Sequence, residues 1–200
     1  MKKENKLLMR EAREALSGKW GLAVGVCLLY MVILIVVRAP HKVFGPILSL
    51  LISGPMTLGL ATFSLTLSRR QTASVSQLFA GFNEFVRALV AYLLMVLFIL
   101  LWFLLLIVPG IIAGLAYSQT FYILADDKSI KPREAIRKSK AMMYGHKKKL
   151  FYLGLRFLGW VLLCILSAGI GFLWLIPYIQ ITMAKFYDDI SGKTVVPNPA

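Results

Sequence analysis

Apolar residues run through this chain in blocks long enough to cross a bilayer, and most of the charges lie between the blocks. The first block is Trp20 to Val37, closed by Arg38, Pro40 and Lys42. The second is Val43 to Leu67, closed by Arg69 and Arg70, and its Pro46 and Pro55 predict a kink or a break. The third is Val86 to Val108, after which Pro109-Gly110 predicts a turn. The fourth is Ile111 to Ala125, closed by Asp126 and Asp127. The stretch from Leu150 to Tyr187 is too long for one crossing and divides at Ala168-Gly169-Ile170-Gly171. About 20 apolar residues, each rising about 1.5 Å, span a hydrocarbon core about 30 Å thick. The pattern predicts an all-α membrane protein with six transmembrane helices arranged as three hairpins.

Each outward-going span is preceded by an amphipathic stretch that ends at a glycine: Gly18, Gly81 and Gly145, spaced 63 and 64 residues apart. Stepping back two, three, six and ten residues from each glycine traces one helical face. The faces read Leu16, Ala15, Ala12, Leu8; then Phe79, Leu78, Val75, Gln71; then Met143, Met142, Ser139, Ala135. Further on, Gly110, Tyr117, Gln119 and Asp127 stand 61 residues before Gly171, Tyr178, Gln180 and Asp188. The chain thus reads as one integral membrane domain, 1–200, made of three repeats, 1–70, 71–128 and 129–190, with 191–200 as a cytoplasmic tail. Each repeat is a cytoplasmic interfacial helix, a glycine and a hairpin. Two crossings per repeat give all three the same orientation, with a pseudo-axis along the membrane normal.

Composition agrees with membrane residence: 58% of residues are hydrophobic, 16% are charged and the mean hydropathy is +0.74. The net charge of +14 raises the question of nucleic acid. The basic residues, however, flank apolar spans instead of alternating with aromatics on a soluble surface, so no nucleic-acid partner is expected. With the N-terminus inside, segments 1–19, 68–87, 126–149 and 185–200 hold 20 Lys and Arg, against Arg38 and Lys42 in the outer connections. That bias places both termini in the cytoplasm. The Arg38 to Lys42 loop makes a poor signal-peptide cleavage site, so the first span is expected to be retained. Cys27 and Cys164 lie in apolar spans and read as packing residues.

No catalytic, cofactor-binding or metal-binding motif is present, so neither an enzyme nor a cofactor is expected. His41 and His146 fall on opposite predicted sides of the membrane. The pairs Asp126-Asp127 and Asp188-Asp189 end the fourth and sixth spans. They offer a divalent-cation site, or, more ordinarily, partners for nearby Lys and Arg. Arg133, Arg137, Lys138 and Lys140 lie on one face of the third interfacial stretch, with Lys147, Lys148, Lys149 and Arg156 after it. These eight are the candidate contacts to anionic lipid headgroups, Arg156 by snorkelling. The small residues Gly18, Gly21 and Gly25, and the pair Gly110 and Gly114, have the spacing that permits close helix approach. Tyr117, Ser118, Gln119 and Thr120 form a polar patch echoed by Tyr178, Gln180 and Thr182, read as interhelical hydrogen bonding or as a substrate path.

Ordered strings along the chain carry a family resemblance. Ala12-Arg13-Glu14-Ala15-Leu16-Ser17-Gly18-Lys19-Trp20-Gly21 opens it, and Leu101-Trp102-Phe103-Leu104-Leu105-Leu106-Ile107-Val108-Pro109-Gly110-Ile111-Ile112 lies in the middle. Asp126-Asp127 follows, then Glu134-Ala135-Ile136 with Ser139, Met143, Gly145 and His146. Phe157-Leu158-Gly159-Trp160, Gly169-Ile170-Gly171, Pro177-Tyr178 and Phe186-Tyr187 complete the set. In this order they resemble the bacterial membrane-protein family called domain of unknown function 975. The resemblance implies a multi-pass protein of the bacterial cytoplasmic membrane and supplies no catalytic residues. The expectation is a non-enzymatic scaffold or interaction protein whose partner is a bilayer with anionic headgroups, with a protein partner or homo-oligomer open. The alternatives are a small-solute transporter or channel component, and a lipid-modifying enzyme.

Overall fold

The computed structural model describes residues 3–38, 44–167 and 169–192. The loop holding Pro40, His41 and Lys42, and the tail from Lys193 onward, lie outside the described residues. Among the described residues all regular structure is helical. Helix α1 is Asn5–Leu16, α2 Trp20–Arg38 and α3 Phe44–Ser68. A 3-10 segment, Val75–Glu84, runs into α4, Phe85–Leu105. Then come α5 Ile107–Tyr117, α6 Thr120–Asp126, α7 Pro132–Met142, α8 Lys147–Leu166 and α9 Phe172–Ser191.

Five stretches are long and apolar enough to cross a membrane: α2, α3, the 3-10 segment with α4, α5 with α6, and α8. The last helix, α9, is as long as α8, but Lys185, Asp188 and Asp189 occupy its final turns and it does not join the five on length and composition. The helices sort into two layers. More than half of the apolar stretch of α3 and of α5–α6 is buried, against less than a quarter for α2, α4 and α8. Helix α9 joins the inner layer through buried Ile181, Ala184, Phe186 and Tyr187. The outer helices present residues such as Leu100, Leu104, Leu162 and Leu166 outward. In water such a surface would drive aggregation, whereas in lipid it costs nothing.

The inner helices touch one another, α3 packing on both α6 and α9. Each outer helix packs on the inner helix that follows it: α2 on α3, α4 on α5, α8 on α9. The three leading segments pack on inner helices too: α1 on α9, the 3-10 segment on α3, and α7 on α6. Leu8, Ala12, Ala15 and Leu16 of α1 are all buried, and so are Ala135, Ser139 and Met143 in and just after α7. The middle segment differs. Only Leu78 and Gly81 are buried there, while Val75 and Phe79 are exposed. Three residues per turn put positions 78 and 81 on one face, which is the 3-10 period.

The three glycines of the expected repeat do two different jobs. Gly18 (φ +73°) and Gly145 (φ +77°) take the left-handed conformation that stops α1 and α7. Gly81 does not; it lets backbones meet. A Cβ on Gly81 would lie 2.0 Å from the Pro55 carbonyl oxygen, and one on Gly59 would lie 1.8 Å from that of Leu78. A Cβ on Gly54 would lie 2.8 Å from the Ala88 carbonyl oxygen, and one on Gly110 2.6 Å from the Phe103 ring, so these two allow close approach in the same way. At Gly18, Gly21, Gly25 and Gly114 a Cβ would meet nothing within 4 Å, so those positions bring no helices together among the described residues.

Two further expectations meet the structure: the second block does not break, and the turn after the third is displaced. Helix α3 is continuous through Pro55, with Pro46 in its first turn. Its hydroxyls are spent on its own backbone: Ser53 Oγ donates to Ser49 O (2.6 Å), Thr57 Oγ1 to Ser53 O (2.7 Å) and Ser64 Oγ to Leu60 O (2.7 Å). The turn after the third block comes at Leu106 (φ −163°, ψ 148°), not at Pro109-Gly110. Pro109 sits in the first turn of α5, where a missing N–H leaves nothing unpaired. The turn between α8 and α9 holds Gly169 at φ +87°.

Candidate functional site

Helix α3 ends in a Schellman arrangement. Gln71 N donates to Thr66 O (3.0 Å) and Arg70 N to Leu67 O (3.0 Å), with Arg70 in the left-handed region at φ +59°. This stop holds the preceding residue, Arg69, against the ends of the other two inner helices. Arg69 Nη1 donates to Asp126 Oδ1 at 2.8 Å, and Nη2 to Asp188 Oδ1 at 2.7 Å. One guanidinium thus links the last turns of α3, α6 and α9. Tyr187 Oη donates to Asp126 Oδ2 (2.9 Å), and Ser68 Oγ to Asp188 Oδ2 (3.4 Å). Burial alone would lower the Arg69 pKa, but the hydrogen bonds to Asp188 and Asp126 more than reverse it and the group stays cationic.

The second member of each acid pair is also engaged. Asp189 accepts from Lys149 Nζ at 2.6 Å and from the Lys3 backbone N at 2.9 Å, tying α9 to the starts of α8 and α1. Asp127 accepts from Ser129 Oγ (2.6 Å) and Ser129 N (3.0 Å), bonds that lower its pKa. The α6 end has its own cap: Arg87 of α4 donates to the carbonyls of Leu124 and Asp127 and to Ile130 O. Cations at a helix C-terminus satisfy its orphan acceptors and its dipole together. Among the described residues, no three His, Cys, Asp or Glu side chains gather as a metal site would require.

Deeper in the bundle the inner helix breaks at Ser118-Gln119, between α5 and α6. Ser139 of α7 fills the gap, its Oγ donating to Ala116 O (2.8 Å) and accepting from Gln119 N (3.2 Å). Backbone groups freed inside a membrane must find partners in protein, and this serine supplies both. The Tyr122 hydroxyl meets Gln180 Oε1 at 3.2 Å. Of the polar patch, Gln180 and Tyr178 bond across helices, Tyr178 Oη donating to Met9 O. Ser118, Thr120 and Thr182 donate to carbonyls of their own segments. Gln119 Oε1 is buried without a partner among the described residues.

The candidate headgroup contacts divide. Arg133, Arg137, Lys138, Lys140, Lys148 and Arg156 are exposed, and Lys147 is half-buried. Lys149 is bound to Asp189, with its ammonium 5.6 Å from the Phe186 ring centroid, and so has a structural partner. The residues that sequence reasoning missed are Arg69, Tyr187 and Arg87 as cross-links, and Ser139 as the filler of the break. One signal was available: a cation, Arg69, closes the second apolar block, where acid pairs close the fourth and the last.

No match to the chain was found among curated proteins or solved structures. A family model does match, over residues 1–113 and 103–194. With nearly the whole chain covered, the protein belongs to the family described as protein of unknown function (DUF975).

Proposed function

We propose that the protein is a non-enzymatic scaffold or interaction protein of the bacterial cytoplasmic membrane. Six crossings form three hairpins in a ring, the basic end of the bundle lies in the cytoplasm, and both termini are there. The Arg69 cluster carries this reading. Hydrolysis or group transfer needs a nucleophile or carboxylate facing open space. Here Asp126 and Asp188 bind Arg69, and Asp189 binds Lys149. These three carboxylates are consumed in holding helix ends together.

The packing of the leading segments supports three repeats. Each leans on the closing helix of the hairpin before it, and α1 completes the cycle on α9. The twenty-to-two distribution of Lys and Arg supports the orientation. The exposed Arg133, Arg137, Lys138, Lys140, Lys148 and Arg156, with Lys147, then meet anionic headgroups, each worth about 1 kcal/mol near the surface. Unpartnered Gln119 Oε1 is the one observation that favours the transporter alternative.

Single cysteines in a variant lacking Cys27 and Cys164 test both points. Ser17→Cys, Ser74→Cys and Lys138→Cys should resist membrane-impermeant thiol reagents in intact cells and react once the cells are opened. Gln119→Cys should stay unreactive under both conditions. Labelling of Lys138→Cys from outside would overturn the orientation. Labelling of Gln119→Cys would reveal a water-filled path and favour transport.

A further inference from the structure

Two clefts on the outside of the bundle are built from the same positions of successive repeats. The first, about 330 Å³, lies between α8 and α9 with the α1–α2 turn at one end. The second, about 270 Å³, lies beside α5 with the α7–α8 turn at its end. At the mouth of the first stand Arg13 and Trp20. Relative to Gly18 and Gly145 the same two positions are Lys140 and Lys147, and both line the mouth of the second. Tyr178 in the first cleft corresponds to Tyr117 in the second, 61 residues earlier. By the same shift Leu163 corresponds to Trp102 and Trp174 to Ala113, again all cleft residues.

The first cleft has the shape of an amphiphile. Along α8 it extends from Trp160 to Ser167, and along α9 from Gly171 to Tyr178, about 10 Å of helix on either side. Its floor is apolar, with Cys164 and Leu175 buried, and its rims, Trp160, Leu163 and Trp174, are exposed to the lipid side. The polar charge comes at one end only. There the Arg13 guanidinium stands 5.9 Å from the Tyr178 ring centroid, while the Tyr178 hydroxyl is fixed on Met9 O at 3.1 Å. The third repeat position provides an internal contrast. Counting from Gly81, Ser76 stands where Arg13 and Lys140 are and Asn83 where Trp20 and Lys147 are, so neither position is charged. The Gly59–Gly81 contact brings the 3-10 segment directly onto α3. Where the cation is missing, the backbone closes up.

We propose that each of the two clefts binds one anionic phospholipid, its phosphate on Arg13 in the first and on Lys140 and Lys147 in the second, with an acyl chain laid along the apolar floor. A cation at one end of an apolar channel of this length is complementary to such a lipid and to neither a free anion nor a neutral chain. The proposal rests on the reading that the basic end meets an anionic leaflet.

All four tryptophans of the chain line these clefts: Trp20, Trp160 and Trp174 the first, and Trp102 the second. Their fluorescence reports occupancy, because a brominated acyl chain quenches indole on contact. The full-length protein would be placed in nanodiscs of phosphatidylcholine doped with either brominated phosphatidylglycerol or brominated phosphatidylcholine at equal mole fraction. Brominated phosphatidylglycerol should be preferred about fivefold at low doping, the preference expected from one engaged cation. In a Trp102→Phe background, Arg13→Ala should abolish that preference. With Trp102 as the only tryptophan, Lys140→Ala with Lys147→Ala should do the same. Lys128→Ala with Lys131→Ala, which removes exposed charge outside both clefts and outside the headgroup contacts, should leave it intact. Equal quenching by the two lipids in the unmodified protein overturns the proposal, as does loss of preference in that last variant with retention in Arg13→Ala. Nanodiscs expose both faces, so the result is independent of the orientation tested by thiol labelling.

Discussion

The hydroxyl of Tyr187 donates to Oδ2 of Asp126 at 2.9 Å, across 61 residues of chain. The same separation relates Gly110, Tyr117 and Gln119 to Gly171, Tyr178 and Gln180. Residues related by a repeat can touch only near the axis that relates them. On the three-repeat reading this pair therefore marks the centre of the basic end, and Arg69, from the first hairpin, occupies the remaining side of it.

Replacing Arg69 by Gln leaves Asp126 and Asp188 facing each other in a site where both carboxylates are about 7% exposed. The cost should be about 3 kcal/mol, read as a lowered thermal midpoint in detergent. Adding Asp126→Asn and Asp188→Asn to that variant should recover part of it, because the repulsion between the two carboxylates goes. Arg69→Lys keeps the charge but not the fork that reaches two acids, and should fall between. An unchanged midpoint in Arg69→Gln would remove the cluster from any structural role.

Ser139→Ala removes both partners at the Ser118-Gln119 break, leaving the Gln119 N–H and the Ala116 carbonyl unpaired in the interior. A loss of about 1–3 kcal/mol is expected. Ala141→Ser, on the exposed side of the same helix, should change stability by less than about 0.5 kcal/mol. Similar midpoints for the two variants would show that the break is satisfied in some other way.

Glycine substitutions should separate by mechanism. Gly59→Ala and Gly81→Ala drive a methyl into backbone and should cost about 3 kcal/mol or more. Gly18→Ala meets no neighbour but forces alanine to φ +73°, a penalty of about 1–2 kcal/mol. Gly21→Ala meets neither obstacle and should be neutral or slightly stabilising in α2. Expression level and melting of the four variants give the ranking, and a destabilised Gly21→Ala would point to a contact with another copy of the chain.

Arg70 holds a left-handed backbone that glycine adopts without strain. Its side chain reaches only the exposed Glu14, at 3.4 Å, a pairing of little worth. Arg70→Gly should therefore raise stability by about 1 kcal/mol, visible as a higher melting point. A drop instead would mean that the exposed ion pair to α1 matters more than the backbone.

Much of the fold was legible because lipid imposes period and length on a chain. The block from Trp20 to Val37 differs from α2 by one residue at its end, and the buried face of α1 follows the spacing back from Gly18. The turn at Leu106 was misplaced by three residues because Pro109 reads equally as a helix stop and as a first-turn residue, and only the neighbouring chain decides. The 3-10 segment was read as an ordinary amphipathic helix, since nothing local says that Gly59 lies beneath it. The cross-links were least legible. Arg69 finds partners 57 and 119 residues away, and no periodicity carries such pairings.

The packing of α1 on α9 has a consequence in time. A ribosome releases the N-terminal helix first, and about 150 residues must follow before Phe172 opens the helix that receives it. At roughly 5–20 residues per second, that is on the order of ten seconds or more. Throughout that interval Leu8, which packs with Leu153, Leu175 and Phe186 of α8 and α9, has no native surface to cover it, whereas Ala12, Ala15 and Leu16 already have α3. A chain stopped short of α9 keeps the Leu8 end of α1 uncovered for good, so that uncovered first turn is a mark by which cellular proteases can tell an unfinished copy from a finished one.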